Sequence, residues 1–324
     1  MNIVCTGSVA YDYLMTFPGY FKEHILVEKL ETISLSFLVD SMVRQRGGTA
    51  SNIAYTLALL GERPYLMATV GEDFDDYRAW LELKGVDTRY TKVIPGKYTA
   101  SFFANTDLSN AQISSFYTGA MADSANLSID EIEPIHPDLV VIAPNDPTAM
   151  VRYARECREH GIPYLYDPSQ QLVRMAAEDI REGVMGALAL FVNEYEYELL
   201  RKHTGLSEAD LLQQVKFMVV TCGEQGAKIY ADGTITSVPA AKPSQIADPT
   251  GVGDAFRGGF LTGYRMGLSW ATCGRMGSLA ATYCLEQKGT QNHSYSPAEF
   301  VARYNAEFGA TSELEPLLSQ VVQG

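Results

Sequence analysis

The sequence predicts an α/β protein built on a mostly parallel sheet. Short apolar runs of strand character alternate with segments that are apolar at helical spacing along most of the chain. Hydrophobic residues make up 46% and charged residues 20% of the 324 residues, which is the composition of an ordinary globular chain long enough to bury a sizeable core. No repeat, low-complexity tract or linker splits it. Such alternation implies a sheet covered by helices on both faces.

Residues 3–8 (IVCTGS) read as the first strand. Asn52 to Leu60 is apolar at helical spacing and stops at Gly61, a C-terminal cap signal. PYLMATV (64–70) is a strand, and Phe74 to Lys84 a helix. Asp138 to Ala143 is a strand, and Pro147 to His160 a helix opened by the capping residues Asn145 and Asp146. Tyr164 to Tyr166 is a short strand, and Ala187 to Val192 another, leading into a helix from about Asn193. Phe217 to Thr221 is a further strand, and two helices start near Gly253 and Trp270. Residues 13–46 and 93–118 lack helical periodicity, and TASFFANT (99–106) with AQISSFY (111–117) alternates like a hairpin. The expected division is an α/β core of 1–12, 47–92 and 119–324 and a small β-lid of 13–46 and 93–118. Two plain surface excursions would give the same pattern.

Lys and Arg number 25 against 39 Asp and Glu, a formal charge of −14, and no basic run stands out. Neither nucleic acid nor an anionic membrane is an expected partner. An anionic small ligand is still compatible, because backbone N–H groups and one or two Arg can override net charge locally. No apolar stretch reaches the ~18 residues of a membrane span. The N-terminus MNIVCTGSVAYDYLM lacks a basic region and a sustained apolar run, so no signal peptide is expected. Five cysteines, none close to another in sequence, argue against a disulfide framework or a CxxC metal site. A reducing compartment, the cytoplasm, is the expected location.

The chemistry concentrates in DPTGVGDAFRGGF (248–260). Gly251, Val252 and Gly253 form a loop whose N–H groups converge at a helix start, where the helix dipole adds partial positive charge. Asp254 falls in the first turn, beside this anion cradle, where a general base for phosphoryl transfer would stand. A Gly-rich helix start with an ordinary carboxylate would use the same residues. Gly258, Gly259 and Gly263 each cost about 1 kcal/mol relative to Ala inside a helix, which makes sense if another element packs close. No GxxxxGK[ST], GxGxxG or kinase HRD/DFG set is present. A second glycine motif, RGGTASN (46–52), brings Gly48 and Asn52 to a helix start, and the Asn amide suits a diol.

These two motifs, in this order and about 200 residues apart, resemble the signatures of the ribokinase-like (pfkB) carbohydrate kinases. The resemblance covers the whole chain. TGSVAYDYLMTFPGYF (6–21), SLSFLVD (34–40), QISSFYTGAM (112–121), APNDP (143–147) and YDPSQQL (166–172) bring it closest to the bacterial, ribokinase-like type of adenosine kinase. The resemblance implies a three-layer sandwich with a β-lid and transfer of the ATP γ-phosphate to the 5′-hydroxyl of adenosine. Another nucleoside, ribose, or a catalytically silent binding role are the alternatives.

It also implies roles. Asp254 is the base, with the anion hole at Gly251 to Gly253. Asp12, Gly48 and Asn52 are ribose ligands with Ser8 and Ser36 nearby. Phe102 and Phe116 sandwich the adenine, and Gln170 and Gln171 meet the purine. Asn193 with Glu196 matches the family's element associated with Mg²⁺ and phosphate, although a helix cap would look alike. Thr221, Gly223 and Gly226 line the ATP site. Mg²⁺ is expected with ATP, and a K⁺ site beside the anion hole is left open, because Pro249 and Val252 replace the Thr and Ala common in the wider family. A homodimer through the lid is expected.

Overall fold

The structure is a computed structural model that describes residues 1–25, 31 and 34–319. Along the chain run β1 (Ile3–Thr6), β2 (Ala10–Thr16), β3 (Ser41–Gly47), α1 (Thr49–Leu59), β4 (Tyr65–Val70), α2 (Asp75–Leu83) and β5 (Thr91–Val93). Then come β6 (Ala100–Thr106), β7 (Gln112–Tyr117), β8 (Leu139–Ile142), α3 (Pro147–Glu159), β9 (Tyr164–Tyr166), α4 (Ala177–Val184), β10 (Ala189–Asn193) and α5 (Glu194–Thr204). The chain continues through α6 (Glu208–Gln214), β11 (Phe217–Thr221), β12 (Ala227–Ala231), β13 (Thr234–Val238), α7 (Val252–Arg265), α8 (Trp270–Leu285), α9 (Pro297–Phe308) and α10 (Glu315–Ser319). The 164–166 and 217–221 strands fall where the sequence puts them, and most other predicted ends shift by one to three residues.

Nine strands form the main sheet in the order β13-β12-β11-β10-β9-β8-β1-β4-β5. From β11 to β5 the neighbours pair in parallel, and β12 and β13 close one edge as an antiparallel hairpin. Side chains alternate between two cores, as a period of two requires. Ile3, Cys5, Val141, Phe191, Phe217 and Val219 pack under α1, α2, α7 and α8. Val4, Val140, Ile142, Leu190, Met218 and Val220 pack under α3, α4 and α5 on the other face. The result is a three-layer α/β/α sandwich.

The second sheet has four strands, β3-β2-β6-β7. Its β6–β7 pair is the predicted hairpin. Its seam with the core falls earlier than the sequence suggests, because β2 already starts at Ala10 and pairs to Gly47 of β3. Asp12 therefore belongs to the lid sheet, not to the core segment 1–12. β5, at 91–93, belongs to the main sheet, so Val93 lies outside the lid segment expected to start there. The lid enters from β1 and returns directly into α1 at Gly48, whose φ of 100° admits no ordinary side chain. A Cβ there would lie 2.6 Å from the Ser8 carbonyl oxygen.

The glycines of α7 are explained by its neighbours. A Cβ on Gly258 would strike Thr56 of α1, and one on Gly259 would lie 2.6 Å from the Met276 carbonyl oxygen of α8. Gly259→Ala gains about 1 kcal/mol of helix propensity but forces α7 and α8 apart. A net loss of ~1–3 kcal/mol is expected in chemical denaturation. A midpoint equal to or above wild type would mean that these helices do not touch there.

Candidate active site

Parallel strands gather ligands at their C-terminal ends, close to the point where neighbouring strands leave in opposite directions. Here that point is β1, with β4 on one side and β8 on the other. The segments that follow these strands line one cavity of about 660 Å³. Ser8 comes from the end of β1, Pro144 from β8, Ser169 to Gln171 with Val173 and Arg174 from β9, Asn193 from β10 and Thr221 from β11. Ala10, Asp12, Phe102 and Phe116 come from the lid, and Gly251, Gly253, Asp254 and Arg257 from the start of α7.

Gly251 precedes α7 in the left-handed conformation, with φ 77°. The first intrahelical bond runs from the Ala255 N–H to the Gly251 carbonyl, so the N–H groups before it are not claimed by the helix. Asp248 braces this loop, accepting from the Thr250 N–H at 2.9 Å and from the Gly289 N–H at 3.0 Å. Asp254 Oδ2 accepts from Asn52 Nδ2 at 2.8 Å. Burial pushes the Asp254 carboxyl up to about 6, while the Arg257 guanidinium and the Asn52 hydrogen bond restrain the rise. Burial also lifts Asp12 to about 6, helped by the charges of Asp248 and Asp254.

Arg257 is 6% exposed, and Asp167 beneath it 0%. Its Nη2 donates to Asp167 Oδ1 at 2.8 Å and its Nη1 to the Gly253 carbonyl at 2.9 Å. A fixed cation therefore stands at the helix start, held by a carboxylate that would be costly to bury alone. Sequence reasoning missed this pair, although Arg257 and Asp167 both lie inside quoted motifs. It also missed Thr290 and Gln291, which lie in no motif.

The expected residues divide. Ser8, Asp12, Gly48, Asn52, Phe102, Phe116, Gln170, Gln171, Asn193, Glu196, Thr221, Gly251, Gly253 and Asp254 share the cavity. Ser36 is exposed and does not line it. Gly223 and Gly226 do not line it either. Their φ values of 56° and 91° shape the β11–β12 turn, where a Gly226 Cβ would collide with the Val238 carbonyl. Val252 opens α7 and packs into the core.

Phe102 and Phe116 are direct cross-strand partners. Both rings therefore leave the same face of the lid and form one wall, which corrects the expectation of rings closing from two sides. The Ser169–Arg174 turn lines the same cavity. In that turn Gln171 is 4% exposed, and its Oε1 is buried with no hydrogen-bond donor.

Asn193 and Glu196 form a capping box on α5. Asn193 Oδ1 accepts from the Glu196 N–H, and Glu196 Oε2 from the Asn193 N–H, both at 2.8 Å. Among the described residues no three His, Cys, Asp or Glu side chains are grouped to hold a metal. A Mg²⁺ carried on nucleotide phosphates needs only one or two carboxylates, and Glu196 on the cavity wall can offer one.

A glycine-built helix start with a buried carboxylate in its first turn, set at the switch point of such a sandwich and beneath a β-lid, is the arrangement of a ribokinase-like phosphotransferase. The sequence pattern of the pfkB family carbohydrate kinases matches residues 3–298, and the chain belongs to that family. The nucleoside kinase of Burkholderia thailandensis, solved in complex with inosine, superposes with a TM-score of 0.84 at 37% identity, covering 96% of this chain and 99% of that one. The nucleoside kinase of Methanothermobacter thermautotrophicus is 29% identical over 316 residues, 95% of this chain and 97% of its own. The adenosine kinase of Sinorhizobium meliloti shares the fold, with a TM-score of 0.71 at 22% identity over 90% of this chain and 95% of that one.

A base that must be ionised gives activity an acid limb. With Asp254 at about 6, kcat/KM is expected to fall tenfold per pH unit below that value. Asp254→Asn should lower kcat by ~10²–10⁴ and leave nucleoside affinity nearly unchanged. Stability runs the other way. A carboxyl raised above its unfolded value stabilises the fold most below the unfolded pKa, and this contribution is lost as pH rises through about 6. Asp254→Asn should therefore flatten the stability–pH curve between about 4 and 6. A pH–rate profile without an acid limb near 6, or an Asn variant keeping a third of wild-type kcat in a chemistry-limited regime, would remove Asp254 from the role of base.

Proposed function

We propose that this chain is a nucleoside kinase that transfers the γ-phosphoryl group of ATP to the 5′-hydroxyl of a purine nucleoside, adenosine foremost. The carrying observation is that one cavity holds both the Asp254 cradle and a surface fit for a base, the Phe102–Phe116 wall. Ribose alone offers no π-face to that wall. The similarity to nucleoside kinases, one of them solved in a complex named ADP-inosine, supports the same class.

In this reading the ribose lies among Asp12, Gly48 and Asn52, and its 5′-hydroxyl meets Asp254. The oxygen attacks the γ-phosphorus, its proton passes to the Asp254 carboxylate, and the bond to the ADP oxygen breaks. The first-turn N–H groups of α7 and Arg257 hold the charge on the transferring group. Mg²⁺ bound with ATP would neutralise phosphate charge, with Glu196 as its carboxylate. The lid excludes water that would otherwise take the phosphoryl group. No helix among the described residues is long and apolar enough to cross a membrane, and all five cysteines are buried and free, which supports a reducing location. Activity in K⁺ against tetramethylammonium reads whether a monovalent cation is needed.

ADP release measured over adenosine, guanosine, inosine, cytidine and ribose tests the class. A purine nucleoside is expected to give the highest kcat/KM. Preference for ribose would make this a sugar kinase, and no turnover of any of them a silent binding member. Phe102→Ala and Phe116→Ala should each raise adenosine Kd by roughly 5- to 150-fold, on the scale of ~1–3 kcal/mol per stacked base. Ribose turnover should hardly respond, so an unchanged adenosine-to-ribose ratio in folded protein would leave both rings as lid core.

The lid edges also suggest assembly. β3 exposes Met42 and Val43, and β7 exposes Ile113, Phe116 and Tyr117. Pairing of two lids about a two-fold axis would cover one such edge. Light scattering should give twice the 35.6 kDa chain mass at micromolar protein, and monomer alone would refute it.

A further inference from the structure

We propose that Gln291, with Thr290 beside it, is a positioning residue for the base Asp254, acting through the amide of Asn52. The proposal rests on the kinase reading above. Asn52 is 4% exposed and touches Asp254 through its Nδ2. An Asn amide can rotate by half a turn and present oxygen instead, which would set a carbonyl against a carboxylate. Two donors on the far side select the productive orientation. Gln291 Nε2 donates to Asn52 Oδ1 at 2.9 Å, and the Thr290 hydroxyl lies 2.8 Å from the same oxygen. The single Thr290 proton is shared with the Arg46 carbonyl, also at 2.8 Å, so Gln291 is the constant donor.

Gln291 is itself fixed. It is 2% exposed, and its Nε2 also reaches the Tyr77 hydroxyl, which donates on to the Gly47 carbonyl at 3.0 Å. Both amide hydrogens are thereby used. The segment is tied down on either side, by the Gly289 N–H on Asp248 and by the Tyr55 hydroxyl on the His293 carbonyl at 2.6 Å. Donors run in one direction, from Gln291 to Asn52 to Asp254. Gln291 does not line the cavity, so it has no contact with substrate through which to act directly.

The charged and titratable groups that bear on Asp254 are Arg257 on α7, Asp167 after β9, Glu196 on α5, Asp12 on the lid and Cys284 on α8. None of them changes in Gln291→Met, which keeps the length and apolar bulk of the side chain and loses both donors. Without the donor, Asn52 spends part of its time with oxygen toward Asp254, which disfavours the carboxylate. The acid limb of kcat/KM is then expected to move up by ~0.5–1 pH unit, with kcat/KM at pH 7 down by no more than about twofold, at pH 5 down by roughly 3- to 10-fold, and KM for ATP unchanged. Thr290→Val should move the same limb by less. In an Asn52→Ala background, Gln291→Met should add no further shift.

A second readout needs no turnover. The Asp254 carboxyl, followed by carbon-13 NMR and assigned by its loss in Asp254→Asn, should titrate higher in Gln291→Met by the same amount. If wild-type protein phosphorylates none of the acceptors, the kinase reading fails, while this titration still decides the relay. Should Gln291→Met fail to fold, Gln291→Leu, which also removes both donors at similar volume, takes its place in the same titration. A wild-type carboxyl titration and an unmoved acid limb, with only the melting temperature lowered, would overturn the proposal and leave Gln291 as core filling.

Discussion

The hydrogen bond from Asn52 to Asp254 joins α1 to α7 at the floor of the cavity, and both helix starts are arranged around it. For the carboxylate to stay charged out of water it needs donors and a nearby cation, or it would take a proton. Asn52 supplies the donor and Arg257 the cation. Each in turn needs support, because an unpaired buried guanidinium or a freely rotating amide would serve poorly. Asp167 holds the one, and Gln291 with Thr290 holds the other. Requirements that begin at one carboxylate thus reach the loops after β9 and α8.

The same floor explains the close helix packing. Asn52 can reach Asp254 only if α1 and α7 approach closely, and Gly258 against Thr56 permits this. Gly48 adds the second condition, since any larger residue would push the α1 start away from Ser8 and β1. The Ser8 hydroxyl then accepts from the Thr49 N–H at 3.0 Å, tying the strand end to the helix start. The lid and Asp254 share this junction, because the core ends of both lid strands next to the core, β2 and β3, lie within it.

The periodicity exposed most of this fold, because strands buried under two helical layers read as plain apolar runs. Helix starts carrying local signals, such as Asp146 before α3 or Asn193 before α5, were legible to within a residue or two. The hairpin β12–β13 and helix α9 were not read, being short or half polar. At the site, glycine motifs were legible because they constrain the backbone locally. Thr290 and Gln291 were not, because their roles depend on partners 238 and 239 residues away. Ser36 and Gly226 show the converse, since a motif position does not by itself put a side chain or N–H in the cavity. The facing of Phe102 and Phe116 depended on cross-strand register, which alternation within each strand leaves undetermined.

An overall charge of −14 has to be reconciled with a polyanionic nucleotide. Exposed acids far from the site are screened within about 8 Å at physiological salt, so they weigh little on the cavity. What the phosphates would meet is local: the N–H groups opening α7, its dipole, and Arg257 and Arg174 on the cavity wall. Glu196, Asp12 and Asp254 oppose them. With both Asp12 and Asp254 near 6, protonation would ease phosphate binding just as it disables Asp254 in its proposed role as base. Affinity for a phosphorylated ligand and turnover are therefore pulled in opposite directions as pH falls. Near neutrality Asp254 is charged, and the fixed guanidinium of Arg257 offsets the repulsion this brings.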